Sequence, residues 1–376
     1  MHVDERDRVG AVPDTGGRVS PRGGGVSRSI GRRSRTPRPT GARRRLRLFW
    51  RVALAGVLLG SAYGGLINFA SHGTPRLGFV IGAIHGVLLS ATIGMLEIFA
   101  TRTRLGRAVE QAPFLVTLAA KGSIYGSMIA LVNIAEPGTR LLGFRPEGGP
   151  LQIVSVVFSF GATWAFIVVL QVSRIIGGRT LRDWVLGRYH RPRREERFFL
   201  FVDIAGSTAL AERVGPVSVH QFLNRVFVLA GDPVDDYRGE IYQYVGDEIV
   251  ITWKEGDGRP GARPIGCFMA IESALAAAAD EFVRDFGVAP RVRGALHVGP
   301  VVVGEVGARK RDIVFHGDAV NTTARLEQMA REFDRRLVIS ADALNRLAAT
   351  EPYDLEDLGA HVLRGRTSPT RIYAVS

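Results

Sequence analysis

RFFLFVDIAGST, residues 197–208, is the stretch that decides the fold. Four consecutive apolar residues at 198–201 predict a short strand that is buried on both faces. The strand leads to a carboxylate, Asp203, and the small residues after it predict a tight turn into a helix with Ser207 and Thr208 as caps. The sequence therefore places an acidic side chain at the end of a central strand.

A second carboxylate has a similar setting. Residues 239–253 read GEIYQYVGDEIVITW, two β-forming runs joined at Gly246-Asp247, which predicts a hairpin with Asp247 at its tip. A glycine–aspartate pair alone usually indicates only a turn. Two carboxylates at strand ends, however, are what a two-metal phosphoryl-transfer site requires. Mg²⁺ prefers oxygen ligands and leaves its other positions to water and substrate phosphates.

A third motif extends this pattern. Residues 317–325 read GDAVNTTAR. Together with FVDIAGST and YVGDE, in that order and spacing, they resemble the catalytic domain of the class III nucleotide cyclases, and the resemblance covers residues 195–376. It implies an α+β, ferredoxin-like domain that forms a homodimer. Such a domain closes a nucleoside triphosphate into a 3′,5′-cyclic monophosphate and releases pyrophosphate.

The resemblance also implies the chemical roles of several residues. Asp203, Asp247 and the backbone carbonyl of Ile204 would hold two Mg²⁺ or Mn²⁺ ions. Asn321 would orient the ribose, and Arg325 would stabilise the charge on the α-phosphate. Asn321 and Arg325 are four residues apart on a predicted helix, so they share one of its faces. All of these positions are retained, which argues against an inactive domain.

Of the substrate-binding positions, the one for the terminal phosphates matches the family pattern and the two for the base depart from it. By resemblance, Arg364 in LRGRT binds the terminal phosphates; an exposed ion-pairing arginine is the alternative. Adenylyl cyclases commonly carry lysine at the position of Gln243 and Asp or Thr at the position of Val314. A glutamine amide can serve adenine or, turned over, guanine. ATP is therefore the expected substrate, and a guanylate cyclase or a non-catalytic nucleotide sensor is the alternative. A diguanylate cyclase needs a GG[DE]EF loop, which residues 246–248 only partly imitate.

The first half of the chain is predicted to lie in a membrane. Of the 376 residues 46% are hydrophobic, and the mean hydropathy is positive, which is high for a wholly soluble protein. Four apolar segments each reach the roughly 20 residues that cross a bilayer as a helix. These segments are residues 46–70, 77–100, 113–135 and 151–176. A transporter with a cytosolic regulatory domain is an alternative, but no broken helix with convergent polar groups supports it.

The net charge of +13 is unevenly distributed. Residues 1–51 contain 14 arginines and 4 acidic residues, whereas residues 195–376 contain 21 basic and 27 acidic residues. The acidic catalytic half argues against nucleic acid as a partner. Basic flanks before the first span and after the fourth place both ends of the chain in the cytoplasm. We therefore expect a multi-pass protein of the cytoplasmic (inner) membrane, with the lipid bilayer as a partner and a cytoplasmic catalytic domain.

These patterns predict four regions. They are a disordered basic N-terminus (1–45), a four-helix transmembrane domain (46–176), a linker (177–196) and the cyclase catalytic domain (197–376). In the linker, Leu181, Trp184, Val185 and Tyr189 share one side of a helix that Pro192 should end. This helix would lie on the anionic leaflet or pair with its copy in a dimer, and the sequence leaves both roles open.

Some single residues give further expectations. Ionisable groups are costly in hydrocarbon, so Glu97 and Lys121 either pair between the second and third spans or reach the interface. His85, within the second span, is expected to be packed and satisfied. Cys267 is the single cysteine, which excludes an intrachain disulfide, and we expect it buried on a helix. His297 is expected to be structural.

The catalytic half also contains further predicted elements. One helix spans residues 207–236 and is broken near Gly215-Pro216, and a second helix spans 262–286. Gly299-Pro300 should separate two strands. The predicted strands are residues 292–297, 301–306 and 313–315, followed by a helix over 318–332.

Overall fold

The computed structural model describes residues 41–72, 76–99, 103, 106, 109, 112–135, 150–365 and 368–376. Disorder is predicted for residues 1–45; residues 1–40 lie outside the described residues, and for residues 41–45 the prediction is wrong, because they are helical. Four long helices come first: α1 (Gly41–His72), α2 (Arg76–Phe99), α3 (Phe114–Ala135) and α4 (Pro150–Ile176). Each contains a segment that is long and apolar enough to cross a membrane, by length and composition. The four predicted apolar helices are therefore confirmed, with α1 beginning earlier than predicted.

Glycines bring α1 and α2 into backbone contact. A Cβ atom added to Gly60 would collide with the carbonyl oxygen of Gly82, and one added to Gly82 would collide with that of Gly60. The same relation holds one turn away in each direction. It joins Gly56 to Gly86 and Gly64 to Gly78. Small residues allow this approach, which is how helices gain van der Waals contact in lipid.

An ion pair connects α2 and α3. Lys121 Nζ lies 2.7 Å from Glu97 Oε1, and the Tyr125 hydroxyl donates to the same carboxylate oxygen at 2.9 Å. The predicted interhelical pair is thus present. His85 lies with Nδ1 2.9 Å from the carbonyl oxygen of Ile81 on its own helix, so its ring is satisfied locally.

The linker helix is shorter than the sequence pattern predicts. α5 (Gly178–Val185) ends well before Pro192. Gly187 takes the left-handed conformation (φ +61°) and donates its N–H to the Trp184 carbonyl, while Arg188 N–H bonds the Asp183 carbonyl at 2.8 Å. These two bonds form a Schellman motif, which stops the helix. The predicted placement of Tyr189 on the helix is therefore wrong, and Tyr189 packs into the sheet instead.

An eight-stranded sheet follows the linker. Its strands are β1 (Arg193–Ile204), β2 (Glu240–Val245), β3 (Glu248–Lys254), β4 (Val292–Val306), β5 (Asp312–His316), β6 (Leu337–Ser340), β7 (Leu355–His361) and β8 (Thr370–Val375). The order is β2-β3-β1-β4-β6-β8-β7, with β5 also paired to β4. The β4–β6 pair is parallel and the other pairs are antiparallel.

Helices lie between these strands. The longer ones are α6 (Ser207–Val214), α7 (Pro216–Asp236), α8 (Arg263–Ala277), α9 (Ala279–Phe286), α10 (Asp318–Glu332) and α11 (Ala341–Arg346), and two short helical turns, Glu255–Gly258 and Pro260–Ala262, precede α8. The order β2-β3-β1-β4, with helical connections after β1 and β3, is the predicted ferredoxin-like arrangement. The break between α6 and α7 falls at Gly215, as predicted. The elements from β6 onward had no sequence-based prediction.

β1 is buried on both faces, as its apolar run predicts. Successive side chains of a strand point to opposite faces. Phe198 and Leu200 pack into one core, which contains the buried side chains of α7 and α8. Phe199 and Phe201 pack into another core, which includes Tyr189. Cys267 is buried on α8, as expected.

Three local predictions are wrong. The helix over 262–286 breaks at Ala278, which leaves helical geometry (φ −100°, ψ 3°). β4 runs unbroken through Pro300, because that residue lies where β4 is paired on the β1 side only, between the segments that pair with β6 and with β5. Ser207 does not cap α6. The N-cap residue is Gly206, and the Ser207 hydroxyl bonds Asp247 instead.

Candidate active site

β1 and the β2–β3 hairpin bring two carboxylates to one edge of the sheet. In the antiparallel register Asp203 is opposite Glu248, so Asp247, in the preceding turn, lies beside it. Gly246 supplies the left-handed backbone of this turn (φ +62°). The Ser207 hydroxyl, on the first residue of α6, donates to Asp247 Oδ2. The two predicted aspartates are therefore neighbours. The turn at Gly246 and the hydrogen bond from Ser207 position Asp247.

These carboxylates lie in a region of excess negative charge. Burial and the neighbouring charges of Asp247 and Glu327 raise the pKa of Asp203, which is only 6% exposed. Burial together with Glu327 and Asp203 raises the pKa of Glu248 to about 7. Like charges at short range disfavour ionisation. A bound cation would relieve this repulsion.

Arg331 supplies positive charge to this region from α10. Its Nη2 donates to Asp203 Oδ2 at 3.1 Å and to Glu327 Oε1 at 2.9 Å. Sequence reasoning missed Arg331 and Glu327. A weak signal was available, because a glutamate and an arginine four residues apart on a helix form a pair. The pattern did not show that this pair reaches Asp203.

The donor set fits Mg²⁺ or Mn²⁺. Asp203 and Asp247 offer carboxylate oxygens, and Ile204, whose carbonyl is the predicted third ligand, is the buried last residue of β1. Among the described residues, no three His, Cys, Asp or Glu side chains are arranged to hold a metal by themselves. A site of two carboxylates leaves the remaining positions to water and phosphate oxygens, which suits Mg²⁺ in nucleotide enzymes.

The predicted nucleotide-binding residues of α10 differ from this cluster, because they offer amide and guanidinium donors and no carboxylate. Asn321 is exposed, while Arg325 is half-buried. Arg325 Nη1 is buried and has no hydrogen-bond partner within the described part of the chain. A Cβ atom on Gly365 would lie 3.4 Å from Arg325 Nη2, so the turn with the exposed Arg364 packs against this guanidinium. The structure thus places the segment that contains one predicted phosphate-binding arginine against the side chain of the other.

The two predicted base-pocket residues lie on strands that touch. Gln243 is an exposed residue of β2, next to a register shift in its pairing with β3. Val314 is half-buried on β5. Their sequence neighbours Tyr242 and Phe315 form an edge-to-face pair with ring centroids 4.7 Å apart. This contact joins β2 to β5, although the two strands are not paired by hydrogen bonds in the sheet.

A buried arginine links the linker to the same two strands. Arg197 on β1 is 1% exposed and pairs with Glu195 at 2.8 Å and with Glu240 on β2 at 3.1 Å. It also donates to the Tyr189 hydroxyl at 3.1 Å, and its guanidinium lies 4.7 Å from the ring centre of Phe315. Burial raises the pKa of Tyr189 to about 12. The sequence pattern does not predict this cluster, because an arginine before a strand is typical of a solvated flank.

Two matches with known proteins bear on this geometry. Residues 191–376 match the family described as "Adenylate and Guanylate cyclase catalytic domain". A Rhizobium meliloti (strain 1021) protein named "Adenylate cyclase 2" is 35% identical over 297 residues, which are 77% of this chain and 81% of that protein. The chain belongs to the adenylate and guanylate cyclase family. The predicted family is thereby confirmed, and residues 191–376 form its cyclase domain.

Other matches share less with this chain. An uncharacterized protein of Mycobacterium tuberculosis (strain ATCC 25618 / H37Rv) is 33% identical over 248 residues, which are 61% of this chain and 44% of that protein. A solved structure of a bacterial light-regulated adenylyl cyclase aligns with a TM-score of 0.49 and 23% identity, over 60% of this chain and 65% of that one. The roles of the individual site residues stay predictions.

Proposed function

We propose that this protein is a membrane-anchored adenylate cyclase that converts ATP into 3′,5′-cyclic AMP and pyrophosphate for intracellular signalling. The observation that supports it most is the pair of carboxylates, Asp203 and Asp247, at one sheet edge of a cyclase-family domain. The name of the Rhizobium meliloti relative supports ATP as the substrate.

The reaction can be assigned to residues of this chain. The ribose 3′-oxygen loses its proton to solvent and bonds to the α-phosphorus, while the bond from that phosphorus to the pyrophosphate oxygen breaks. Two Mg²⁺ or Mn²⁺ ions, when bound, supply Lewis-acid activation of the hydroxyl and neutralise phosphate charge. Asp203, Asp247 and the Ile204 carbonyl hold these ions. No nucleic acid takes part.

Three other side chains hold the nucleotide. Asn321 orients the ribose, and Arg325 donates to the α-phosphate as its charge changes. Arg364 binds the terminal phosphates. The buried, unpartnered Nη1 of Arg325 within the described residues supports an anionic ligand at this position, because a buried donor without an acceptor is costly.

The metal-binding and the nucleotide-binding residues come together in a homodimer. One protomer supplies the metal carboxylates, and its partner supplies Asn321 and Arg325. A twofold dimer of chains that each contain both half-sites completes two sites. In this assignment a single protomer is inactive, although all of the functional residues are present in its chain.

The four apolar helices support a membrane location, and we assign the protein to the cytoplasmic membrane. Residues 46–176 would form the membrane domain, 177–196 the linker and 197–376 the catalytic domain in the cytoplasm, where nucleoside triphosphates are found. Reporters fused before Leu46 and after Ser376 should both be cytoplasmic. An extracytoplasmic C-terminus would contradict the assignment.

Product analysis tests the activity itself. The purified full-length protein in detergent is incubated with Mn²⁺ and either ATP or GTP, and the products are separated by chromatography. Cyclic AMP as the main product supports the proposal. Cyclic GMP as the main product would favour the guanylate cyclase alternative, which the exposed Gln243 allows because its amide is free to turn. Absence of both products would favour a nucleotide-sensing domain.

A further inference from the structure

Arg331 donates a hydrogen bond to a carboxylate oxygen of Asp203, a proposed metal ligand. Its Nη2 lies 3.1 Å from Asp203 Oδ2, and the same nitrogen lies 2.9 Å from Glu327 Oε1. β1 supplies Asp203, and α10 supplies both members of the helical pair. The guanidinium therefore bonds one of the two carboxylate oxygens that Asp203 could offer to a divalent cation.

The negative charge around Asp203 explains why the Arg331 guanidinium is held beside it. Asp203 lies in the field of Asp247 and Glu327, and both carboxylates act against its ionisation. Arg293 also acts on Asp203, but its guanidinium bonds Asp334 at 2.8 Å. Within the described residues, Arg331 is thus the arginine that makes a direct hydrogen bond to Asp203.

The exposure of the partners differs. The Arg331 side chain is 57% exposed, whereas those of Asp203 and Glu327 are each 8% exposed. The arginine can therefore move into solvent, while the carboxylates are fixed by their surroundings. Glu327 is one helical turn from Arg331, so their pairing does not depend on Asp203.

We infer that Arg331 is a tethered counter-ion of the metal site. It bonds Asp203 while no divalent cation is bound, stays with Glu327 when a cation takes Asp203, and thereby sets the affinity of the site for metal. This inference rests on the proposed metal-binding role of Asp203. In the rival role, Arg331 orients Asp203 for the metal, and its removal would weaken binding.

Metal binding without nucleotide separates the two roles. Full-length protein in detergent is titrated with Mn²⁺, and free Mn²⁺ is measured by electron paramagnetic resonance. Arg331→Ala removes the competing cation, so the Mn²⁺ dissociation constant should fall by about fivefold, the upper range for a partly exposed ion pair. Arg331→Lys retains the charge and should bind Mn²⁺ much as the wild type does.

Arg336 provides a matched control. Its side chain is 55% exposed and pairs with Glu272 at 3.1 Å, so Arg336→Ala removes the same charge from a comparable surface pair. Its Mn²⁺ affinity should match the wild type. An equal gain in Arg336→Ala would assign the effect to net charge and overturn the inference. Weaker binding by Arg331→Ala would also overturn it, in favour of the positioning role.

Asp203→Ala separates this inference from the proposed function. If Asp203→Ala loses Mn²⁺ binding but Arg331→Ala binds like the wild type, the metal site stands and the counter-ion role is wrong. If the wild type and Asp203→Ala bind Mn²⁺ equally, the proposed metal site is wrong, and the counter-ion role fails with it.

Discussion

The two halves of the site differ in their contacts within the chain. The carboxylate half consists of Asp203 and Asp247, and both have hydrogen-bond partners. The nucleotide half consists of Asn321, Arg325 and Arg364, and we call it open because it is largely without such partners among the described residues. In the first half, Ser207 bonds one aspartate and an arginine of α10 bonds the other. In the second half, two residues are exposed and a buried guanidinium nitrogen has no partner among the described residues.

This difference indicates what each half requires. The carboxylates concentrate negative charge and are balanced by a side chain that a cation can replace. The buried Nη1 of Arg325 has no hydrogen-bond acceptor among the described residues, so we expect an anionic ligand to supply one. A buried polar group without a partner costs about 1 to 3 kcal/mol. The open half is therefore the one that we expect a ligand and a second protomer to complete.

Loss of a carboxylate should have the largest effect. Asp203→Ala should reduce cyclic nucleotide formation to background, because it removes one of the two proposed carboxylate ligands of the metal ions. The turnover number, together with the melting temperature, is the measurement. Asp357→Ala is the control, since it removes a carboxylate from a surface pair with Arg371. Residual activity of Asp203→Ala near the wild-type level would place the metal site elsewhere.

Loss of the unpartnered guanidinium should have the next largest effect. Arg325→Ala should lower kcat by roughly 10² to 10³, the scale for removing one donor to a transition-state charge. The fold should tolerate the change, because Arg325 Nη1 makes no hydrogen bond within the described residues. Steady-state kinetics on ATP test this. An effect confined to KM would show that Arg325 binds the ground state and transition state equally.

Much of the carboxylate half could be predicted from sequence because local patterns mark the end of each strand. An apolar run ending at Asp203 and a two-residue turn at Asp247 define strand ends, and pairing of adjacent strands then brings those ends together. Arg331 could not be predicted in this way, since it is 128 residues from Asp203 in the chain. Its position depends on how α10 crosses the sheet.

Other differences have similar physical causes. The linker pattern of apolar residues suits a helix through Tyr189, but the left-handed backbone at Gly187 ends it first. Tyr189 then gains burial and a hydrogen bond with Arg197 in the sheet. Pro300 predicts a strand break, yet one-sided pairing tolerates it. Tertiary packing decided these positions, and local sequence patterns do not contain it.

Mixing the two defective variants tests whether the halves meet across a dimer. Asp203→Ala and Arg325→Ala damage different halves, so a heterodimer contains one intact site and one doubly damaged site. At equal mixing, about half of the dimers are heterodimers, and activity should recover to about a quarter of the wild type. This is well above either variant alone. The assay is cyclic AMP formation after subunit exchange, which differently tagged protomers verify by co-purification. Verified exchange without recovery would show that both halves act within one protomer.

The base pocket should give the smallest effect, because its two predicted residues, Gln243 and Val314, are suited to neither purine in particular. Gln243 can turn its amide to suit either purine, and Val314 offers no polar group to oppose the wrong one. Discrimination between ATP and GTP should therefore be modest in the wild type. Gln243→Lys combined with Val314→Asp would leave the wrong base with an unpaired buried group, which costs about 1 to 3 kcal/mol. The ratio of kcat/KM for ATP to that for GTP should rise by about tenfold, and each single variant should give a smaller change. If the double variant leaves this ratio unchanged while the protein stays folded, then these residues do not contact the base, and the nucleotide half contains only the groups that bind ribose and phosphate.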